Sequence, residues 1–194
     1  MIRALVLAGI FVVGCGGAAT ASPTPPQRTA TQAASRLTTP PPAEPCPPIA
    51  AGVPTKAASI EMAGGGVIRL ALRPDKAPNT VANFAAKASA GAYNGLTFHR
   101  VVPGFVVQGG DPRGDGTGGG NQPTELSDLP FCIGSLGVAR AGDIRVSNDM
   151  QFFICIGACR HLDGGYTNFG QVTAGMDVAA AIKMGDKIKS ISVQ

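Results

Sequence analysis

Proline and aromatic residues divide this chain in two. Ten of its sixteen prolines fall between residues 22 and 55, a stretch with no aromatic residue and no apolar periodicity. Such a segment cannot bury enough surface to offset its ordering entropy. Proline holds it extended, so residues 15–57 read as a semi-stiff tether. A Pro-rich ligand for a partner is the sharper alternative, and the tether is the preferred reading. All nine aromatic residues outside the first 14 residues lie beyond Ser59. One hydrophobic core is therefore expected in residues 58–194, with structure starting near Ser59, and that length suffices for a single domain. No internal repeat is present.

Charge removes one class of function early. The chain carries 16 Lys and Arg against 12 Asp and Glu. Arg3, Arg28, Arg36 and Lys56 precede residue 57, with Glu44 the only acid there, which leaves 12 − 11 = +1 on the remainder. No basic domain remains to grip a nucleic-acid backbone.

The N-terminus reads Met1-Ile2-Arg3, followed by an apolar or small-residue run from Ala4 to Gly14. One cation before a run too short for a ~20-residue membrane helix predicts a secretory signal over residues 1–14. Val12-Val13-Gly14-Cys15-Gly16 resembles the lipobox of bacterial lipoproteins. The resemblance implies cleavage before Cys15 and acylation of that cysteine, for instance with palmitate. The mature chain would be held on the outer side of a bacterial membrane by buried acyl chains.

Within the folded part, Val67–Leu72 predicts a strand broken by Pro74 and Pro78. Val81, Phe84, Ala85 and Ala88 repeat at helical spacing, with Asn79 the expected N-cap and Gly91 the expected stop. Short β-like runs follow at 96–102, 105–108, 133–139, 151–156, 169–172 and 188–193, with a second helix predicted from Met176 to Met184. Many short strands with two helices point to a mostly antiparallel closed barrel rather than a parallel α/β sheet.

Three blocks narrow this further. Phe98-His99-Arg100-Val101-Val102-Pro103-Gly104-Phe105-Val106-Val107-Gln108-Gly109-Gly110-Asp111-Pro112 resembles the signature of cyclophilins, a class of peptidyl-prolyl cis/trans isomerases. Gln151-Phe152-Phe153-Ile154-Cys155 and Leu162-Asp163-Gly164-Gly165-Tyr166-Thr167-Asn168-Phe169-Gly170 are similar to the family's other core strand and the loop after it. Order and spacing agree from about Ala58 to Gln194. The resemblance implies an eight-stranded antiparallel β-barrel closed at its ends by two helices, acting on proline-containing polypeptides, with no cofactor or metal. A monomer is expected.

The implied reaction makes and breaks no covalent bond. Its barrier of ~18–20 kcal/mol is the amide resonance lost as the C–N bond twists. A catalyst needs a pocket that fixes the proline ring and a donor that favours the twisted state over both planar ones. The resemblance makes Arg100 the catalytic donor, a permanently charged multi-donor group. Phe105, Val106, Phe153 and Leu162 match the proline pocket. Gln108 and Gln151 match the groups that position the arginine and the substrate backbone. Ala139 and Arg140 match the rail along which the peptide lies, and His161 and Tyr166 match the remaining substrate-binding positions.

This chain departs from the family pattern at several of these. Val106 replaces a common Met, and Arg140 stands where many members have Asn. His161 and Tyr166 replace the Trp and His usual in animal members, which predicts weak cyclosporin binding. Asp149-Met150 replaces a small Gly-Ser pair, which puts substrate reach on that side in question.

Other motifs carry less. Asp111–Gln122 spaces like a calcium loop, but Arg113 and Gln122 occupy ligand positions. Gly114–Gly120 lacks the Lys-Ser/Thr of a phosphate loop. Arg113-Gly114-Asp115 is a chance tripeptide, and Cys155, Cys159 and His161 lack a nearby fourth metal ligand. Cys46, Cys132, Cys155 and Cys159 are even in number and permit three disulfide pairings. Cys155 reads as a buried thiol, and Cys46 would staple the tether through Cys132 or Cys159. The expected function is isomerisation of Xaa-Pro bonds in exported proteins. A non-catalytic proline-peptide chaperone or an envelope interaction module is the alternative.

Overall fold

The computed structural model describes residues 43–194. The expected signal (1–14), the lipidation site Cys15 and the tether as far as residue 42 lie outside the described residues.

The strands are β1 (Lys56–Met62), β2 (Val67–Leu72), β3 (Arg100–Val102), β4 (Val106–Gly109), β5 (Asn121–Pro123), β6 (Ser135–Val138), β7 (Val146–Asn148), β8 (Phe152–Cys155), β9 (Asn168–Ala174) and β10 (Ile188–Val193). The helices are α1 (Pro78–Ser89) and α2 (Met176–Ala181). Eight strands form one antiparallel sheet in the order β10-β1-β2-β9-β6-β8-β4-β3, and β5 pairs with β7 apart from it.

The sheet is curled and open, where a closed barrel was expected. Its end strands β3 and β10 do not pair as a ladder. The chain just before β3 crosses the gap instead, through Gly95 N–H to the Ile188 carbonyl (2.8 Å) and Phe98 N–H to the Asp186 carbonyl (2.9 Å). Thr97 makes a single bridge to Lys187. The run 96–102 therefore yields a strand only from Arg100 onward.

Helix α1 starts two residues earlier than the sequence suggests, with Ala77 rather than Asn79 at the cap position. Pro78 occupies the first turn, where its missing N–H is no loss. Asn79 is inside the helix and caps nothing. The free N–H groups of Asn79 and Thr80 donate to the Glu125 carboxylate at 3.1 and 2.7 Å. A distant acid thus does the work assigned to a local cap, and its charge suits a helix N-terminus. The helix ends before Gly91, whose φ of 69° is left-handed. Helix α2 stops at Ala181 because Ile182 turns extended and is buried.

Alternation along the central strands produces two apolar clusters. Val107 of β4, Leu136 and Val138 of β6, and Phe152 and Ile154 of β8 enter the main core. There Phe84 of α1 packs on Tyr93, Phe152 and Phe169 with ring centroids 5.2, 5.6 and 5.3 Å apart. The intervening residues Val106, Phe153 and Cys155 face the other way and build a second cluster with Phe131, Cys159 and Leu162.

Order also starts ahead of Ser59. Cys46 is disulfide-bonded to Cys132, which resolves the choice left open by the sequence, and Cys155 and Cys159 are free and buried. Backbone bonds join Cys46 N–H to Ile133 O and Ile133 N–H to Glu44 O at 2.9 and 2.8 Å, and Gln171 Nε2 donates to Pro47 O. The Pro-rich segment is thus pinned to the sheet from Glu44. The bridge spans 86 residues of sequence. Cys46→Ser is expected to lower stability by about 2–4 kcal/mol and the Tm by about 5–15 °C. Reduced wild type should melt with the variant, and equal Tm values for variant and oxidised wild type would contradict the staple.

Candidate active site

The second cluster is the floor of a cleft of about 250 Å³, lined by Arg100, Phe105, Val106, Gln108, Ala139, Arg140, Phe153, Leu162 and Tyr166. Strand register explains the assembly. Arg100 pairs with Gln108, Gln108 with Phe153, and Phe153 with Gly137. These residues form one row across β3, β4, β8 and β6. Gly137 is required there: a Cβ on it would lie within the Phe153 ring. The ring rests on Phe131 (5.8 Å, stacked) and meets Tyr166 edge-on at 6.0 Å. The floor is flat, apolar and firmly packed, which suits a pyrrolidine ring.

Arg100 stands exposed at one side of this floor. Its Nη1 donates to Gln108 Oε1 at 3.3 Å, and its guanidinium lies 5.9 Å from the Phe105 ring centre. Gln108 Nε2 donates in turn to Gln151 Oε1 at 3.0 Å. Gln151 Nε2 donates to the carbonyls of Gly116 and Gly118 at 3.0 and 2.8 Å. That loop is folded on itself by Asp111, whose carboxylate accepts the N–H groups of Arg113 and Gly116. The arginine is therefore steered by a relay that ends in a glycine-rich loop, the segment that resembled a calcium site in sequence.

Phe105 is set by its own carbonyl, which accepts the N–H groups of Ile156 and Gly157 at 2.7 and 3.1 Å and the Cys159 thiol at 3.5 Å. Burial pushes the Cys155 thiol up, and the adjacent Cys159 adds to this. Cys155 thus packs as an apolar group.

Across the floor, Arg140 Nε donates to the Gly165 carbonyl at 2.7 Å, and its guanidinium lies 4.4 Å from the Tyr166 ring centre. It holds the 162–166 loop against the end of β6.

Two of the eleven substrate-site residues named from sequence do not line the cleft. Gln151 is buried behind Gln108, and His161 lies tilted against the Phe105 ring with centroids 5.0 Å apart. Asp149 also turns away. Its carboxylate pairs with Lys87 of α1 at 2.8 Å and accepts the Gly120 N–H at 2.6 Å. Burial raises its pKa, but the Lys87 and Gly120 bonds outweigh this and hold it below the usual carboxylate range. Met150 packs partly buried against the main core.

Sequence reasoning missed four residues that shape the cleft. Phe131 lies under Phe153, and Gly137 makes room for it. Asn148 Oδ1 accepts the Gln151 N–H at 2.8 Å, and Asp163 Oδ1 accepts the Phe131 N–H at 2.6 Å. Their neighbours in sequence carry no trace of these long-range partners.

Comparison with known proteins agrees with this geometry. The family model described as cyclophilin type peptidyl-prolyl cis-trans isomerase/CLD matches residues 57–193. The chain is 46% identical over 132 residues to a peptidyl-prolyl cis-trans isomerase of Synechococcus elongatus, covering 66% of this chain and 90% of that protein. It is 44% identical over 134 residues to peptidyl-prolyl cis-trans isomerase B of Bacillus subtilis, covering 67% and 92%. A solved cyclophilin-type isomerase of Cryptosporidium parvum superposes with a TM-score of 0.67 at 27% identity, covering 73% of this chain and 98% of that one. The chain belongs to the cyclophilin-type peptidyl-prolyl cis-trans isomerase family.

Gly137→Ala is expected to displace the Phe153 ring, at about 1–3 kcal/mol of stability. Near-UV circular dichroism and isomerase rate should both fall. An unchanged spectrum and rate would contradict the assigned contact.

Proposed function

We propose that this chain accelerates rotation about Xaa-Pro bonds, with the proline ring on Phe153 and Arg100 donating to the twisted amide. As the C–N bond twists, the prolyl nitrogen becomes pyramidal and a better acceptor. A planar amide offers it no such lone pair, so the Arg100 donor favours the transition state selectively. The arginine is charged throughout, so no proton has to move. The observation that carries this reading is the Arg100–Gln108–Gln151 relay, which holds the guanidinium at the side of the apolar floor. A Cryptosporidium relative was crystallised in the presence of the dipeptide Ala-Pro, which fits a proline-peptide cleft.

The reading extends to location. The chain works on exported polypeptides, tethered through Cys15. Support comes from the signal-like N-terminus, the lipobox resemblance and a disulfide between Cys46 and Cys132, which persists in oxidising compartments.

Removal of one transition-state donor costs ~10²–10³ in rate in comparable sites. Arg100→Ala is expected to lose about a hundredfold or more in kcat/KM for a proline tetrapeptide. Its Tm should hold, because the side chain is exposed. Undiminished catalysis by the folded variant would refute the role. A folded wild type that binds proline peptides without turnover would favour the non-catalytic chaperone reading. For the tether, Cys15→Ser should abolish palmitate labelling and move the protein from the membrane to the soluble fraction. A variant that stays membrane-bound would exclude this anchor.

A further inference from the structure

Two arginines face the same cleft from opposite sides, and only one is needed for the bond rotation. Arg100 belongs to β3, and Arg140 follows β6 on the far side of β4 and β8. Among the described residues, no carboxylate lines the cleft between them. The acids nearby are engaged: Asp143 is gripped at both oxygens by Arg145, and Asp163 accepts from Phe131 and pairs with Arg160.

Arg140 is held unusually firmly for a half-buried surface cation. Nε donates to Gly165 O at 2.7 Å, and Nη1 donates to Ala141 O and Gly142 O at 2.9 and 3.4 Å. The planar group also stacks on Tyr166. A guanidinium has five N–H donors, and this set engages only those of Nε and Nη1. Nη2 has no partner among the described residues, and it is not a buried orphan. The result is a fixed charge with a free donor edge at the rim of the proline floor. A fixed guanidinium loses little entropy when it takes up a carboxylate.

We propose that the free Nη2 edge of Arg140 is a carboxylate subsite, and that Arg140 determines specificity by favouring an Asp or Glu beside the substrate proline. This rests on the isomerase reading above.

The test uses the full chain and protease-free exchange NMR on amide-capped peptides, which removes the terminal carboxylate from the comparison. One series places Glu, Gln or Lys before proline, and the other places them after it. In one series kcat/KM should follow Glu > Gln > Lys. The Glu/Gln ratio should be about three- to tenfold at low salt, as expected of a unit charge acting through partly exposed surroundings. It should shrink toward one at about 1 M salt, where screening acts within ~3 Å. Arg140→Gln should lower the ratio toward one, leaving only what the more distant charge of Arg100 contributes, and Arg140→Lys should retain more of it. The ratio is the readout because Arg140→Gln also frees Gly165 and Tyr166 and lowers all rates together. A wild-type ratio of one in both series, or a ratio unchanged in Arg140→Gln, would overturn the subsite while the Gln peptides still report isomerase activity. Absence of turnover on every peptide by folded wild type would overturn the isomerase reading and the subsite with it.

Discussion

A strand points successive side chains to opposite faces, and both faces are apolar in β8 and in the first half of β4. That requirement organises the molecule. Val107, Phe152 and Ile154 are buried in the main core, while Val106, Phe153 and Cys155 need cover on the opposite side. Leaving that second set in water would forfeit roughly 1.5–3 kcal/mol for each large side chain. Phe131, Cys159 and Leu162 supply the cover, and the uncovered remainder is the cleft. The site is thus the place where the outer apolar layer is incomplete.

The polar groups of the site depend on this dry layer. Arg100 is exposed and would wander on its own, yet Gln108 orients it because Gln151 orients Gln108. Gln151 is buried, so its amide must find partners, and the carbonyls of Gly116 and Gly118 provide them. Asp111 keeps that loop in shape, and Asn148 fixes the backbone of Gln151. Rigidity passes from buried groups with few alternatives to an exposed one with many. The same logic holds on the far wall, where backbone carbonyls and an aromatic face hold Arg140.

The cysteines divide between these roles. Cys155 and Cys159 belong to the outer apolar layer, and Cys159 also bonds to the carbonyl of Phe105. Cys132 adjoins Phe131 in sequence, so its disulfide to Cys46 secures the segment that underlies Phe153. The Pro-rich chain is therefore joined to the domain at a point close to the site.

Strands β2 and β10 and the helical face of α1 were legible because local alternation and helical spacing reveal them without any partner. Strands β5 and β7 were not, since Asn121–Pro123 and Val146–Asn148 are short and carry no apolar alternation. Residues 44–57 looked like free tether because their composition has no core of its own; a disulfide and backbone bonds to Ile133, just ahead of β6, hold the start of that stretch. The signature blocks named the cleft residues, since a motif records which side chains a site needs. By itself the sequence determined the family, the main helix and most strands, which depend on short-range pattern. Only the tertiary structure decided the Cys46–Cys132 pairing, the Glu125 cap on α1, the open edge between β3 and β10, and the burial of Gln151 behind Gln108. Each of these joins residues far apart in the chain, and local spacing carries no information about which distant groups will meet.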